Sequence, residues 1–203
     1  ALRCAYSSYA QRLVDCGLGA AFVSLHSHDA KLSDALTRTP GSFALTLRGI
    51  DNLIDRGVRV WLNFVAVTHN VAAADSFVRF AKERFPKISG VCLSLVAPIG
   101  FADRMPQLWP RLPVASESFR KALLAATRAQ IPVKVAETCG LPLCFLPGFE
   151  RFSEALRGLP VEAAARPDRM HPKVCSECRW RGFCTGAWRA YVDRYGEAEF
   201  VPR

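Results

Sequence analysis

Near its C-terminal end the chain reads Cys175-Ser-Glu-Cys178-Arg-Trp-Arg-Gly-Phe-Cys184, a C-x2-C-x5-C run set directly ahead of a short aromatic stretch from Trp188 to Tyr195. No other feature constrains the fold as much. The x2 spacing lets two thiolates grip one centre while the intervening backbone N–H groups turn toward the sulfurs. Gly182 relaxes the loop so that Cys184 can swing back to the same point, and Gly186 gives the chain room beside whatever is bound. A tetrahedral ion or an iron–sulfur cluster needs a fourth ligand, and Cys139 and Cys144 stand upstream in Cys139-Gly-Leu-Pro-Leu-Cys144. A bound inorganic centre is expected here rather than a disulfide or buried free thiols, because nothing in the sequence looks secreted.

The first residues open no charged region followed by an apolar stretch, so no signal peptide is read, and no apolar run is long enough to span a bilayer. The eight cysteines therefore point to a reducing, cytoplasmic setting. A net charge of +9 raises nucleic acid as a partner. The charge is mostly Arg, scattered singly with no basic run, so neither nucleic acid nor a membrane is expected as a partner.

From the N-terminus, Tyr9, Leu13 and Cys16 share one face of a helix capped by Ser7 or Ser8 and stopped by Gly17. Ala20 to His26 reads as a buried strand whose end breaks into Ser27-His28-Asp29. Phe43, Leu47, Ile50 and Ile54 mark a helix with Ser42 as N-cap and Gly57 as stop. Val58–Val67 is the clearest strand, followed by a helix from Asn70 to about Phe85 and a third strand from Ile88 to Val96. Phe101 to Pro113 reads as a loop and Ser116 to Gln130 as a helix. Val133 to Ala136 follows as one more strand. An amphipathic helix over Glu150–Arg157 and a Pro/Ala/Arg linker then lead to the cysteine run. Helices alternating with strands argue an α/β fold with parallel strands, and a boundary is placed near residue 131. No G-x-G-x-x-G or Walker A sequence follows any strand. Cys4, Cys16 and Cys92 read as core thiols, and His26 and His28 as turn or site-lining residues.

Two patches carry a family resemblance. One is Val23-Ser-Leu-His-Ser-His-Asp29, followed by Asp34 to Arg38 and Pro40 to Leu53; the other is the C-x2-C-x5-C run leading to Trp188 and Tyr191. Together they resemble the radical S-adenosylmethionine (SAM) enzymes that carry a C-terminal cysteine-rich extension of the SPASM/twitch kind. The resemblance implies the C-terminal part of a partial (β/α)6 barrel over residues 1–131, then a small cysteine-rich metal-binding domain over residues 132–203. It implies that Ser24 meets the ribose or methionine moiety of SAM, that Arg38 meets its carboxylate or ribose, and that Asn63 reaches it from the neighbouring strand. It also implies a small-molecule or peptide substrate and a reductant protein such as a ferredoxin or flavodoxin. The family's C-x3-C-x2-C, which binds the SAM-cleaving cluster, is missing from the sequence. The chain is therefore expected to be the C-terminal half of a longer enzyme, holding strands four to six, and not competent alone.

The expected ligands of one auxiliary [4Fe–4S] cluster are Cys144, Cys175, Cys178 and Cys184. Pro142 stiffens the approach to Cys144, Pro147-Gly148 turns the chain after it, and the resemblance places a cysteine in this context; Cys139 is the alternative. A second class of function stays open, because zinc accepts the same four thiolates. In that case the chain is a non-catalytic α/β binding module with a structural Cys4 zinc knuckle.

Overall fold

The computed structural model describes residues 1–157 and 167–203. Its centre is a four-stranded parallel sheet in the order β1-β2-β3-β4, formed by Ala20–Ser24, Arg59–Ala66, Gly90–Leu95 and Val133–Val135. Helices precede and connect these strands: α1 (Ser7–Asp15), α2 (Ala30–Thr37), α3 (Ser42–Ile54), α4 (Ala74–Arg84) and α5 (Leu112–Arg128). The chain is thus α/β. Among the described residues no helix is long and apolar enough to cross a membrane.

The period of β2 sets the two faces of the sheet. Val60, Leu62, Phe64 and Ala66 are fully buried in one cluster with Ile50 of α3, Phe77 of α4 and Phe119 of α5. Phe64 meets Phe77 at 4.9 Å between ring centroids. Trp61, Asn63 and Val65 are half-buried on the opposite face. There the register sets Asn63 between Ser24 and Cys92, with Lys134 beside Cys92 on β4. At β1 this second face is open, with Phe22 56% exposed. At β3 it is covered: Cys92 and Ser94 are buried, and the Leu95 amide donates to the Cys139 carbonyl from the segment after β4.

Several elements differ from the sequence reading, each for a local reason. The stretch before Arg38 forms a helix, α2, capped by Asp29, whose carboxylate accepts the Leu32 N–H at 2.7 Å. Helix α3 begins at Ser42 with Gly41 (φ 78°), not Ser42, as its N-cap. Its capping oxygens come from Asp34, which accepts from Gly41 N at 2.6 Å, Phe43 N at 2.8 Å and the Ser42 hydroxyl at 3.0 Å. Asn70 does not start α4. Its buried carboxamide accepts from Val67 N at 2.7 Å and donates to His26 O at 2.7 Å, tying the ends of β1 and β2 together. Helix α5 begins at Leu112, four residues early, because Pro113 falls in the first turn, where its missing N–H is not needed. The helix expected over Glu150–Arg157 is instead two 3-10 turns, Glu150–Phe152 and Glu154–Leu156. They are parted by Ser153, which turns extended and pairs with Val135 at the edge of β4.

After residue 166, β5 (Arg169–Met170) pairs antiparallel with β6 (Ala187–Trp188), and α6 (Arg189–Tyr195) follows. Most of the Pro/Ala/Arg linker lies outside the described residues. Ala187, Trp188, Tyr191 and Phe200 belong to the same buried cluster as Leu112 and Phe145, so the core is continuous across residue 131. The Tyr191 hydroxyl fixes this contact, accepting from the Leu112 N–H at 2.8 Å and donating to Glu199 at 2.6 Å.

Candidate functional site

Cys144, Cys175, Cys178 and Cys184 line one small cavity of about 20 Å³. Each is placed by a different local device. Cys144 sits in the middle of a 3-10 turn, Leu143–Phe145, that follows the extended Pro142. Cys175 lies in the 3-10 turn Lys173–Glu177, and Cys178 terminates that turn. Cys184 closes the next turn, its N–H donating to the Trp180 carbonyl at 2.8 Å. The glycine that matters is Gly186, with φ 74°; a Cβ there would overlap the Met170 carbonyl oxygen. Gly182 has no such conformation, and Gly186 itself lines the cavity beside Cys184.

The sulfurs are surrounded by features that suit bound thiolates. Cys184 Sγ accepts the Gly186 N–H at 3.4 Å and also a bond from the Leu143 N–H. Burial pushes the Cys144 thiol up to about 12, and the neighbouring Cys184, Cys175 and Cys178 push it the same way. Cys175 is raised to about 11, again by burial and then by Cys184 and Cys178. Burial also raises Cys184, against the two N–H groups that favour its thiolate. Thiols around one cavity can exchange their protons for a cation, which satisfies the mutual repulsion of the thiolates. Among the described residues no group of three or more His, Cys, Asp or Glu side chains is placed to hold a metal ion. The four thiols share a cavity without converging on a point.

The donor set, all sulfur with backbone N–H support, fits a thiophilic ion or an iron–sulfur cluster. Trp180, on the same cavity, has its Nε1–H buried without a partner among the described residues. The sequence reading did not single it out, although its position inside the cysteine run was a usable signal. Cys139 does not line this cavity. It lies toward the sheet, close enough for its charge to contribute to raising Cys92, whose thiol burial pushes up to about 11. All eight cysteines are free thiols.

A second cavity of about 670 Å³ lies at the carboxyl ends of β1, β2 and β3. Its floor holds His26, Val65 and Val96, which continue the second face of the sheet, and α2 and the segment after β3 form its walls. Arg38 lines it, in the left-handed conformation (φ 53°), with its guanidinium 4.5 Å from the Phe101 ring centroid. His26 and His69 also line it, and burial lowers the pKa of His26. His69 and Phe101 were not anticipated; both follow strand ends, the position that could have flagged them. Ser24 and Asn63 do not line this cavity. Ser24 is exposed on β1, and Asn63, opposite it, accepts the Ser94 hydroxyl at 2.6 Å. Of the three residues expected together, Arg38 lines this cavity, and Ser24 and Asn63 sit on β1 and β2 without lining it.

No family model, no curated protein and no solved structure matches the chain.

Proposed function

We propose that this chain is part of a radical SAM enzyme and holds one auxiliary [4Fe–4S] cluster through Cys144, Cys175, Cys178 and Cys184. The observation that carries the reading is the shared cavity of these four cysteines, drawn from two separate stretches of sequence and supplied with N–H donors to sulfur. Such a cluster, when bound, supplies one-electron redox chemistry.

The barrel part of the proposal draws support from the parallel order β1-β2-β3-β4 and from the helices gathered on one face of it. The other face would be the barrel interior, and the 670 Å³ cavity at the strand ends has the size and mainly apolar lining of a small-molecule site. In this reading Arg38 receives a carboxylate by a charge-assisted hydrogen bond, while Phe101 holds the guanidinium in place. Asn63, its oxygen engaged by Ser94, would present its amide N–H2 to a ligand lying over the sheet, next to Ser24. The substrate would be a small molecule or a peptide, the reductant a ferredoxin or flavodoxin, and the compartment the reducing cytoplasm, which suits eight free thiols.

A second reading, a structural Cys4 zinc knuckle on a non-catalytic α/β binding module, is favoured by the small volume of the cysteine cavity. Anaerobic purification and reconstitution separate the two. The cluster reading expects a brown protein with about four iron and four sulfide per chain and Mössbauer spectra of a [4Fe–4S] centre. Stoichiometric zinc in a colourless protein after the same treatment overturns it.

A further inference from the structure

Trp180 lines the cavity shared by the four cysteines, and its indole N–H is buried with no acceptor among the described residues. An indole nitrogen is a donor only, and a buried donor left unpaired is costly enough that proteins rarely retain one. The neighbouring backbone already shows what donors do here, with the N–H groups of Gly186 and Leu143 directed to Cys184 Sγ. The four cysteine sulfurs that line the cavity can accept such a bond.

Resting on the cluster reading above, we infer that Trp180 is a positioning and tuning residue whose Nε1–H donates a hydrogen bond to a sulfur of the bound cluster, raising its reduction potential. The direction follows from charge: a donor stabilises the electron-rich sulfurs, and stabilises them more once an electron has been added. Trp188 supplies an internal control. Its Nε1–H is also buried without an acceptor among the described residues, but it does not line the cysteine cavity.

The test uses the reconstituted chain and a dithionite titration followed by electron paramagnetic resonance. Trp180→Phe keeps the aromatic packing and removes the N–H. It should retain wild-type iron and sulfide while its midpoint potential moves to more negative values. Trp180→His, which restores a ring N–H, should move the potential part of the way back, and Trp188→Phe should leave it unchanged. Iron and sulfide retained with equal potentials in wild type and Trp180→Phe overturns the inference while leaving the cluster reading intact. Zinc in place of iron in the wild-type protein is the failure of that reading instead. If Trp180→Phe fails to load, the wild type alone decides. Labelling tryptophan with 15N in the indole ring should give a nitrogen hyperfine coupling to the reduced cluster by pulsed electron–nuclear double resonance, and absence of that coupling overturns the hydrogen bond.

Discussion

The guanidinium of Arg169 lies over the ring of Trp188, 3.9 Å from its centroid, with the arginine 5% exposed. The two residues are cross-strand partners in the β5–β6 pair. The same guanidinium donates to the Gly186 carbonyl at 2.9 Å and to the Thr138 carbonyl. A single buried cation thus fastens the turn after Cys184 to the segment that precedes Cys139, and its charge favours the Cys184 thiolate.

Replacing that cation should loosen the cysteine site from a distance. Arg169→Met leaves the buried Gly186 carbonyl short of a donor, at a cost of about 1–3 kcal/mol, and the part-buried Thr138 carbonyl as well. It should lower the melting temperature and the iron or zinc bound per chain. Arg169→Lys keeps the charge but not the planar fork, so it should fall between the two. Thermal unfolding and metal analysis on the three proteins check this, and indistinguishable values for wild type and Arg169→Met would sink the idea.

The choice of Cys144 over Cys139 is tested by substitution. On the cluster reading proposed above, Cys144→Ser should lose the cluster and destabilise the segment around α6, whereas Cys139→Ser should keep wild-type iron and sulfide. The reverse pattern reassigns the fourth ligand.

Asp34 gives a pH dependence whose sign can be worked out. Hydrogen bonds from the Phe43 N–H, then the Gly41 N–H, hold its carboxyl below the ordinary 3.8. The folded state therefore favours the ionised form. The stability it contributes is fully present above 3.8 and is lost as the pH falls through the lowered value. Asp34→Asn should melt at a lower temperature than wild type at pH 7, and the gap should close in acid. A gap independent of pH from 7 to 2.5 would contradict this account.

Arg38 and Arg48 differ in what surrounds them. Arg38 lines the strand-end cavity, and Arg48 is exposed on α3. On the radical SAM reading proposed above, and with a segment carrying the SAM-cleaving cluster joined to this chain, a charge-assisted hydrogen bond of about 1.5–3 kcal/mol predicts that Arg38→Ala weakens SAM binding by about 10- to 150-fold. Arg48→Ala should leave it near wild type. Calorimetric titration giving equal affinities for the two variants removes Arg38 from the site.

Strands β2 and β3 were legible because each is a run of apolar residues long enough to cross the core, and Asn63 could be placed on a strand for the same reason. Helix α2 was not, because Asp29 serves equally as a polar strand end and as an N-cap, and only the fold selects the second role. The break at Ser153 is a tertiary effect: its backbone pairs with Val135, far away in sequence, and that pairing overrides the helical period around it. Within the candidate site, Cys175, Cys178 and Cys184 announce themselves by spacing. Cys144 and Cys139 are separated only in three dimensions, by the turn at Leu143–Phe145 and by the Cys139 carbonyl's bond to β3. Trp180 stands inside the cysteine run, but its buried N–H is visible only once its surroundings are known.

Cys144 and Cys175 lie on either side of a long stretch of chain, yet they face one cavity. Any bond network that joins them closes a ring of about 30 residues, and the entropy of such closure grows only with the logarithm of ring size, about 0.6 kcal/mol for each doubling. On that scaling the length of the connection enters the closure cost only weakly, while the elements within it that pair elsewhere, Ser153 with Val135 and Arg169 with Trp188, must keep their places. Between Cys175 and Cys184 the opposite holds, since one inserted residue would re-aim a sulfur. The cavity thus joins two kinds of connection: a long one held at a few paired residues, and a short one whose length is fixed to the residue.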